Sequence, residues 1–444
     1  MQDGGMSFND LGTFAVVEFI MISEGFLKAV ILIAGPQKGT RFRPLSLDVP
    51  KPLFPLAGIC MIEHQIEACS KVKDIKEILI IGFYPPNDLA QFIQEMSKKY
   101  DVHIRYLQEF APLGTAGGIY HFRDQIRSGS PRAFFVFNGD VCANFPLTDL
   151  LEFHKEPSLM SLTGTEATKQ QSLNFGCMVE NKETHSLLHY VEKPKTYVSS
   201  LINCGIYLFS NKIFENLQKV YQDNQNKYYS KVEDQIENRE AIWLEKDILT
   251  SLAGTGLARV HQTSKWWSQM KTAGSAIYAN RGYLNLYAEL HPSRLTTNKE
   301  NCPQIIGNVY VHPSANVHPS AVLGPNVSIS KNVTISAGSR VKESIILENS
   351  FVGEHSLVMY SVIGISTKIG NWCRVEGTPT DPNPNKPFAK MENETLFSVD
   401  GKLNPSITIL GCNVNMSSEM ILLNTIVLPH KHQHPPKRVS STGS

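Results

Sequence analysis

IGNVYVHPSANVHPSAVLGPNVSISKNVTISAGSRVKESIIL, running from Ile306 to Leu347, is the stretch that decides the architecture. Apolar residues recur in it every six positions, at Val311, Val317, Leu323, Ile329, Ile335, Val341 and Leu347. A companion row, mostly small or apolar, sits two before each: Val309, Ala315, Ala321, Val327, Val333, Ser339 and Ile345. A period of six is the hexapeptide signature of a parallel β-helix, expected here to be left-handed, in which each repeat supplies one short strand and three strands make a coil. A sandwich would alternate with a period of two and carry longer turns.

Towards the C-terminus the repeat weakens after Ile369, and residues 376–402 intervene with Asp381-Pro-Asn-Pro-Asn-Lys-Pro387. Its prolines lack the donors a stack of strands needs. Apolar runs resume at Ile407-Thr-Ile-Leu-Gly411 and from Ile421 to Leu428. The expected solenoid is therefore 304–428, with 376–402 as a loop thrown out from its side and 429–444 as a polar tail. The tail histidines His430, His432 and His434 read as solvated. His312 and His318 each precede a proline and read as turn residues, whereas an acyltransferase would need a catalytic histidine projecting from a coil.

Upstream, residues 26–295 read as an α/β domain. Ala29-Val-Ile-Leu-Ile-Ala34 is an apolar run of the kind buried on both faces of a sheet. Helical spacing at 61–72, 89–100 and 117–126 alternates with strand-like runs at 77–82, 103–107 and 133–137, and further strands are expected at 188–192 and 202–209. Residues 222–240 are polar and expected as a surface excursion. The alternation predicts a Rossmann-like, mostly parallel, doubly wound sheet whose ligands belong at the carboxyl ends of the strands. Residues 1–25 form an N-terminal extension. Its apolar run, Leu11 to Ile22, has no basic flank and contains Glu18, so neither a signal peptide nor a membrane span is expected.

Among the 444 residues, 42 Lys+Arg face 41 Asp+Glu, a net charge of +1. That balance excludes a broad phosphate-neutralising surface for nucleic acid but leaves room for a single nucleotide. The eight cysteines show neither a CxxC pair nor zinc spacing, and read as reduced thiols of a cytoplasmic protein.

The first strand runs into Gly35-Pro-Gln-Lys-Gly-Thr-Arg-Phe-Arg-Pro44 and then Pro50-Lys-Pro52. Glycines let a phosphate approach the backbone, and Lys38, Arg41, Arg43 and Lys51 add positive charge. A Walker A loop is excluded, because Lys38 is followed by Gly39 rather than by Ser or Thr, and a GxGxxG is absent. On spacing alone, a solvated Gly/Pro turn explains the loop as well as a phosphate site does.

Four further motifs follow in order: Gln108-Glu-Phe-Ala-Pro-Leu-Gly-Thr-Ala-Gly117, Asn138-Gly-Asp140, Glu192-Lys-Pro194 and Ile202-Asn-Cys-Gly-Ile-Tyr207. Together with the first loop they resemble the sugar-1-phosphate nucleotidylyltransferase family and, with the six-residue repeat, its mannose-1-phosphate guanylyltransferases. The likeness covers about Leu27 to Leu428. The variant loop Gly35-Pro-Gln-Lys-Gly39 and the 381–387 insertion resemble the alpha, regulatory-type branch.

In active members a sugar-1-phosphate oxygen attacks the α-phosphate of a nucleoside triphosphate and pyrophosphate leaves, which needs in-line positioning, cations and Mg²⁺. Residue by residue, the resemblance implies that Gly35, Gly39, Thr40 and Arg41 match the triphosphate loop and Lys51 the Pro-Lys-Pro lysine, Arg41 and Lys51 being the catalytic positions. Gln108, Gly114 and Thr115 match the base-reading region, Asp140 the first metal carboxylate, and Glu192, Lys193 and Asn203 the contacts to sugar and sugar phosphate. Each has an ordinary alternative in isolation: Asp140 as a turn cap, Lys193 as a surface lysine.

Two departures bear on catalysis. The active loop pattern Ala-Gly-Gly-x-Gly-Thr-Arg has gained a residue, and its second glycine is Pro36, which lacks an N–H. The active Trp-x-Asp-x-Gly is Trp267-Ser-Gln-Met-Lys271, so Gln269 stands where the second metal carboxylate is expected. A neutral amide holds a hard cation poorly. The resemblance then implies a catalytically impaired homologue with an incomplete Mg²⁺ site that binds GDP-mannose. It would form a hetero-oligomer with an active beta-type guanylyltransferase subunit and lower that partner's activity when product is bound; no nucleic acid or membrane partner is expected. The 376–402 loop, with Asp381, Pro382, Asn383, Pro384 and Asn385, is the segment expected to reach the partner, the alternative being an insertion without effect. Two rivals stand beside this reading: an active enzyme making GDP-mannose from GTP and mannose 1-phosphate, and an assembly scaffold without ligand.

Overall fold

The computed structural model describes residues 25–36, 40–229, 241–383, 385–386, 388–391, 395 and 397–434. Outside the described residues lie 1–24 of the expected extension, Gly39 of the glycine loop, 230–240 of the polar stretch, Pro384 of the insertion and 435–444 of the tail.

The apolar runs form the expected strands, and Leu27–Ala34 lies at the centre of the main sheet. Ile75–Gly82 and then His103–Gln108 follow on one side, Ala133–Asn138 on the other, all parallel. Beyond Ala133–Asn138 the sheet changes sense. Leu201–Ser210 pairs with it antiparallel, followed by Gly176–Glu180 and Leu187–Glu192. The sheet is thus mixed rather than mostly parallel. Only six residues separate Gly176–Glu180 from Leu187–Glu192, too few for the crossover a parallel pair requires.

The helix expected at 117–126 is two, Gly114–His121 and Arg123–Arg127, and 222–229 is the end of a helix, Ile213–Tyr229, rather than an excursion. Apolar clusters fill both faces of the sheet, with Phe135 and Phe137 on one and Phe134 and Val136 on the other.

Among the described residues the six-residue period produces three parallel sheets of six short strands, each strand pairing with the one a full coil later. This is a parallel β-helix. Its row residues Leu323, Ile329, Ile335 and Val341 are buried in one cluster. Val309 pairs with Val327 and Ile345 with Val362, whereas Ser361 pairs with Thr408, so the insertion leaves and rejoins without breaking the ladder. Thr378 N–H donates to the Ser406 carbonyl across its neck. His432–Gln433 pairs with Asn415–Met416, so the solenoid runs past Leu428 into what the sequence presents as tail. His312 and His318 each accept the N–H of the serine two residues on, as turn residues do.

A long helix not marked in the sequence, Ala273–Leu290, joins the two units. Its Ile277, Tyr283 and Tyr287 share a core with Phe42, Phe54 and Met61 of the first and with Ile345, Val362 and Ile409 of the second. The buried Asn280 side-chain oxygen accepts from Ala57 N–H at 2.8 Å and from Ser328 Oγ at 2.6 Å, one partner from each unit. No helix among the described residues is long and apolar enough to cross a membrane.

Candidate functional site

Two cavities open at the carboxyl ends of the parallel strands. The larger, about 390 Å³, is lined by Gly35, Arg41, Lys51, Gly114, Thr115 and Asp140 among others. The smaller, about 140 Å³, is lined by Glu192, Lys193 and Asn203 with Phe175, Tyr190 and Trp267. Asn138, Gln269 and Lys271 line both. Most of the residues selected by motif are thereby brought together. Thr40 and Gln108 are not among the lining residues; Glu109, next after Gln108, is.

Asp140 sits in the turn that follows Ala133–Asn138. Gly139 is required there, since a Cβ would lie 2.6 Å from the Leu32 carbonyl oxygen. The buried Gln65 amide donates to the Asn138 and Val141 carbonyls and fixes the turn from below. Lys51, in the short turn Lys51–Leu53, brings its ammonium to 3.8 Å from Asp140 Oδ2 and to 5.8 Å from the centre of the Phe42 ring.

Gln269 arrives by strand pairing. Trp267–Gln269 lies antiparallel to Val141–Ala143 with Gln269 opposite Val141, and its Nε2 donates to Asp140 Oδ1 at 2.9 Å. The reversed amide would set oxygen against oxygen, so the donor must face the carboxylate. This geometry does not fit a divalent cation held between residues 140 and 269: one oxygen of Asp140 is taken by an amide donor, the other faces an ammonium, and the second carboxylate is missing. Among the described residues no group of three His, Cys, Asp or Glu could hold a metal ion.

Lys271 is partly buried with its ammonium 4.6 Å from the Phe175 ring centre. Burial lowers its pKa to about 8, against the pull of Asp140, and the neighbouring Lys193 and Arg41 add to the lowering. In the smaller cavity Glu192 accepts from Tyr190 at 2.8 Å and pairs with Lys193 at 3.1 Å. Asn203 donates to the Tyr207 hydroxyl at 2.8 Å and accepts the Gly205 N–H.

Thr115, which lines the larger cavity, is also tied to the segment beyond the polar stretch. Its hydroxyl donates to Glu245 Oε2 at 2.7 Å and accepts the Leu244 N–H. Burial raises the pKa of Glu245, with the Thr115 hydrogen bond opposing. Gly114 has φ +80°, and a Cβ there would lie 2.4 Å from the Ile242 carbonyl, which accepts from Ala116 and Gly117. Trp243 and Glu245, which the motifs do not mark, thus frame the site from the far side of the polar stretch.

The insertion folds back onto its own chain. Asp381 pairs with Arg281 at 2.9 Å, Thr380 N–H donates to the Tyr278 hydroxyl, and Lys390 exchanges backbone hydrogen bonds with the Gln171 side chain. The Lys390 ammonium lies 5.8 Å from the ring centre of Trp267, a wall of the smaller cavity. Pro382, Asn383 and Asn385 belong to the same segment, Asn383 and Asn385 being exposed.

The chain is similar to known proteins over most of its length. A family model described as Nucleotidyl transferase matches residues 28–243, and one described as GMPPB C-terminal domain matches 305–435. The mannose-1-phosphate guanylyltransferase regulatory subunit alpha-A of Danio rerio is 59% identical over 410 residues, 91% of this chain and 97% of its own length. The regulatory subunit alpha of Homo sapiens is 57% identical over 416 residues, with the same coverage.

Proposed function

The chain belongs to the mannose-1-phosphate guanylyltransferase regulatory subunit alpha family, and from that premise we propose that it binds GDP-mannose in the joined cavities and restrains an active, beta-type guanylyltransferase subunit while the product is bound. The observation that carries this reading is Gln269, which donates to Asp140 where a transferase would hold metal. Loss of that acid impairs transfer and leaves the base, ribose and hexose contacts free to bind. The guanosine part takes the larger cavity, with Gly35, Arg41, Lys51 and Gly114, and the mannose takes the smaller, with Glu192 and Asn203.

Feedback requires that the ligand favour one assembly state over another. The 376–402 insertion is the proposed carrier, because Lys390 rests on Trp267, which lines the sugar cavity beside Phe175. The free cysteines, six of them buried, fit a reducing, cytoplasmic setting.

The test is an assay with GTP, mannose 1-phosphate and Mg²⁺ on the purified chain alone, and on an active subunit with and without this chain and GDP-mannose. The expected result is negligible turnover alone and stronger product inhibition of the partner in the complex. Turnover comparable to the active subunit's overturns the regulatory reading in favour of an enzyme, and unchanged inhibition favours a scaffold.

A further inference from the structure

We propose that this cleft holds the diphosphate of its nucleotide sugar without a divalent cation, the Lys271 ammonium taking the metal's place. The inference rests on the nucleotide-sugar reading above and specifies how that ligand is held.

Lys271, Gln269 and Asn138 are the residues that line both cavities. A ligand with its nucleoside in one cavity and its hexose in the other must lay its diphosphate across that junction. Of the three, only Lys271 carries charge. Its ammonium lies 4.6 Å from the centre of the Phe175 ring, and its partly buried side chain lines both cavities where they meet.

The same place is closed to a hard cation. Asp140 receives the Gln269 amide at 2.9 Å on Oδ1 and faces Lys51 at 3.8 Å on Oδ2. A divalent ion would have to displace an amide donor and lie beside two ammonium groups, with one carboxylate to hold it. A diphosphate meets the opposite situation, because Lys271 and Lys51 flank Asp140 and offer N–H donors to anionic oxygens.

The two departures in Trp267-Ser-Gln-Met-Lys271 are complementary. Relative to Trp-x-Asp-x-Gly, an acid is lost at 269 and a base gained at 271, a change of two positive charges, the charge of one divalent ion. An aspartate at 269 would also draw the lysine into an ion pair. Glutamine leaves the ammonium available to a phosphate.

The experiment is calorimetric titration of the full-length chain with GDP-mannose, in EDTA and in millimolar Mg²⁺. The wild-type chain is expected to bind equally well in both buffers, within about twofold. Lys271→Met should weaken binding in EDTA by roughly 10–100-fold, the range of one charge-assisted hydrogen bond, and Lys271→Arg should retain most of it. The double variant Gln269→Asp/Lys271→Gly should bind poorly in EDTA and recover with Mg²⁺. Wild-type binding that needs Mg²⁺, or a folded Lys271→Met chain that binds like wild type, overturns the inference alone. A wild-type chain that binds GDP-mannose in neither buffer overturns the functional reading along with it.

Discussion

Gln269 reaches Asp140 because a three-residue antiparallel pairing puts it opposite Val141, one residue beyond the turn that carries the acid. Replacing only the amide should therefore change what the pair binds without disturbing the strands that present it. With the competing lysine removed as well, Gln269→Asp/Lys271→Gly is expected to gain thermal stability in millimolar Mg²⁺ where wild type gains none, because only that variant pairs two carboxylates for the ion to hold. Differential scanning calorimetry with and without Mg²⁺ checks this. Asp140 and Gln269 are legible in the sequence because each lies in a short contiguous motif. Lys271 stands in the same motif, but only the fold reveals that its side chain spans two cavities. Glu245 and Trp243 have no motif of their own; their role comes from the Ile242 and Leu244 backbone bonding to Gly114–Gly117, a contact across more than a hundred residues.

Among the elements, the helix Ala273–Leu290 has the most to hold and the least sequence signal. Because both the sheet domain and the solenoid pack on it, it is apolar on several faces and shows no single stripe by which an amphipathic helix is recognised. Its start is fixed by a reciprocal cap, with Ser275 N–H on Thr272 Oγ1 and Thr272 N–H on Ser275 Oγ. Thr272→Ala should cost about 1 kcal/mol and Thr272→Ser much less, read from urea unfolding. On the helix Met61–Ser70, burial opposes ionisation of Glu67, but hydrogen bonds from Arg294 and Lys71 outweigh it and hold its pKa at about 2. A depressed pKa stabilises the fold above the unfolded value of 4.5 and is lost as pH falls from there towards 2. Glu67→Gln should therefore be less stable than wild type at pH 7, with the gap closing below pH 4 when unfolding midpoints are followed against pH.

For the whole molecule, the regular parts are the readable ones. The hexapeptide rows announce the solenoid because every repeat meets the same neighbours, and the apolar runs announce the parallel strands because both faces are covered. The reversal at Leu201–Ser210 is hidden, since a strand buried on both faces has the same composition whichever way it runs. The insertion is visible as a break in period, but its attachment to Arg281, Tyr278 and Gln171 is a tertiary fact with no local signature. Deleting 379–402, which spares the strand Arg374–Glu376 and the Thr378–Ser406 contact, should leave a folded chain that binds GDP-mannose yet no longer confers product inhibition on an active partner in a reconstituted complex; unchanged inhibition would retire the loop from that role.

The neck of that insertion has a consequence for how the chain can change. Ile363 stacks on Leu410 and Glu376 on Leu423 as though nothing lay between the coils, and Thr378 and Ser406 close the gap. The solenoid therefore sets no length for what it carries there. The position is a port at which segments can be lengthened, shortened or exchanged while the chassis stays in register, so whatever is carried there can diversify between relatives without renegotiating the fold.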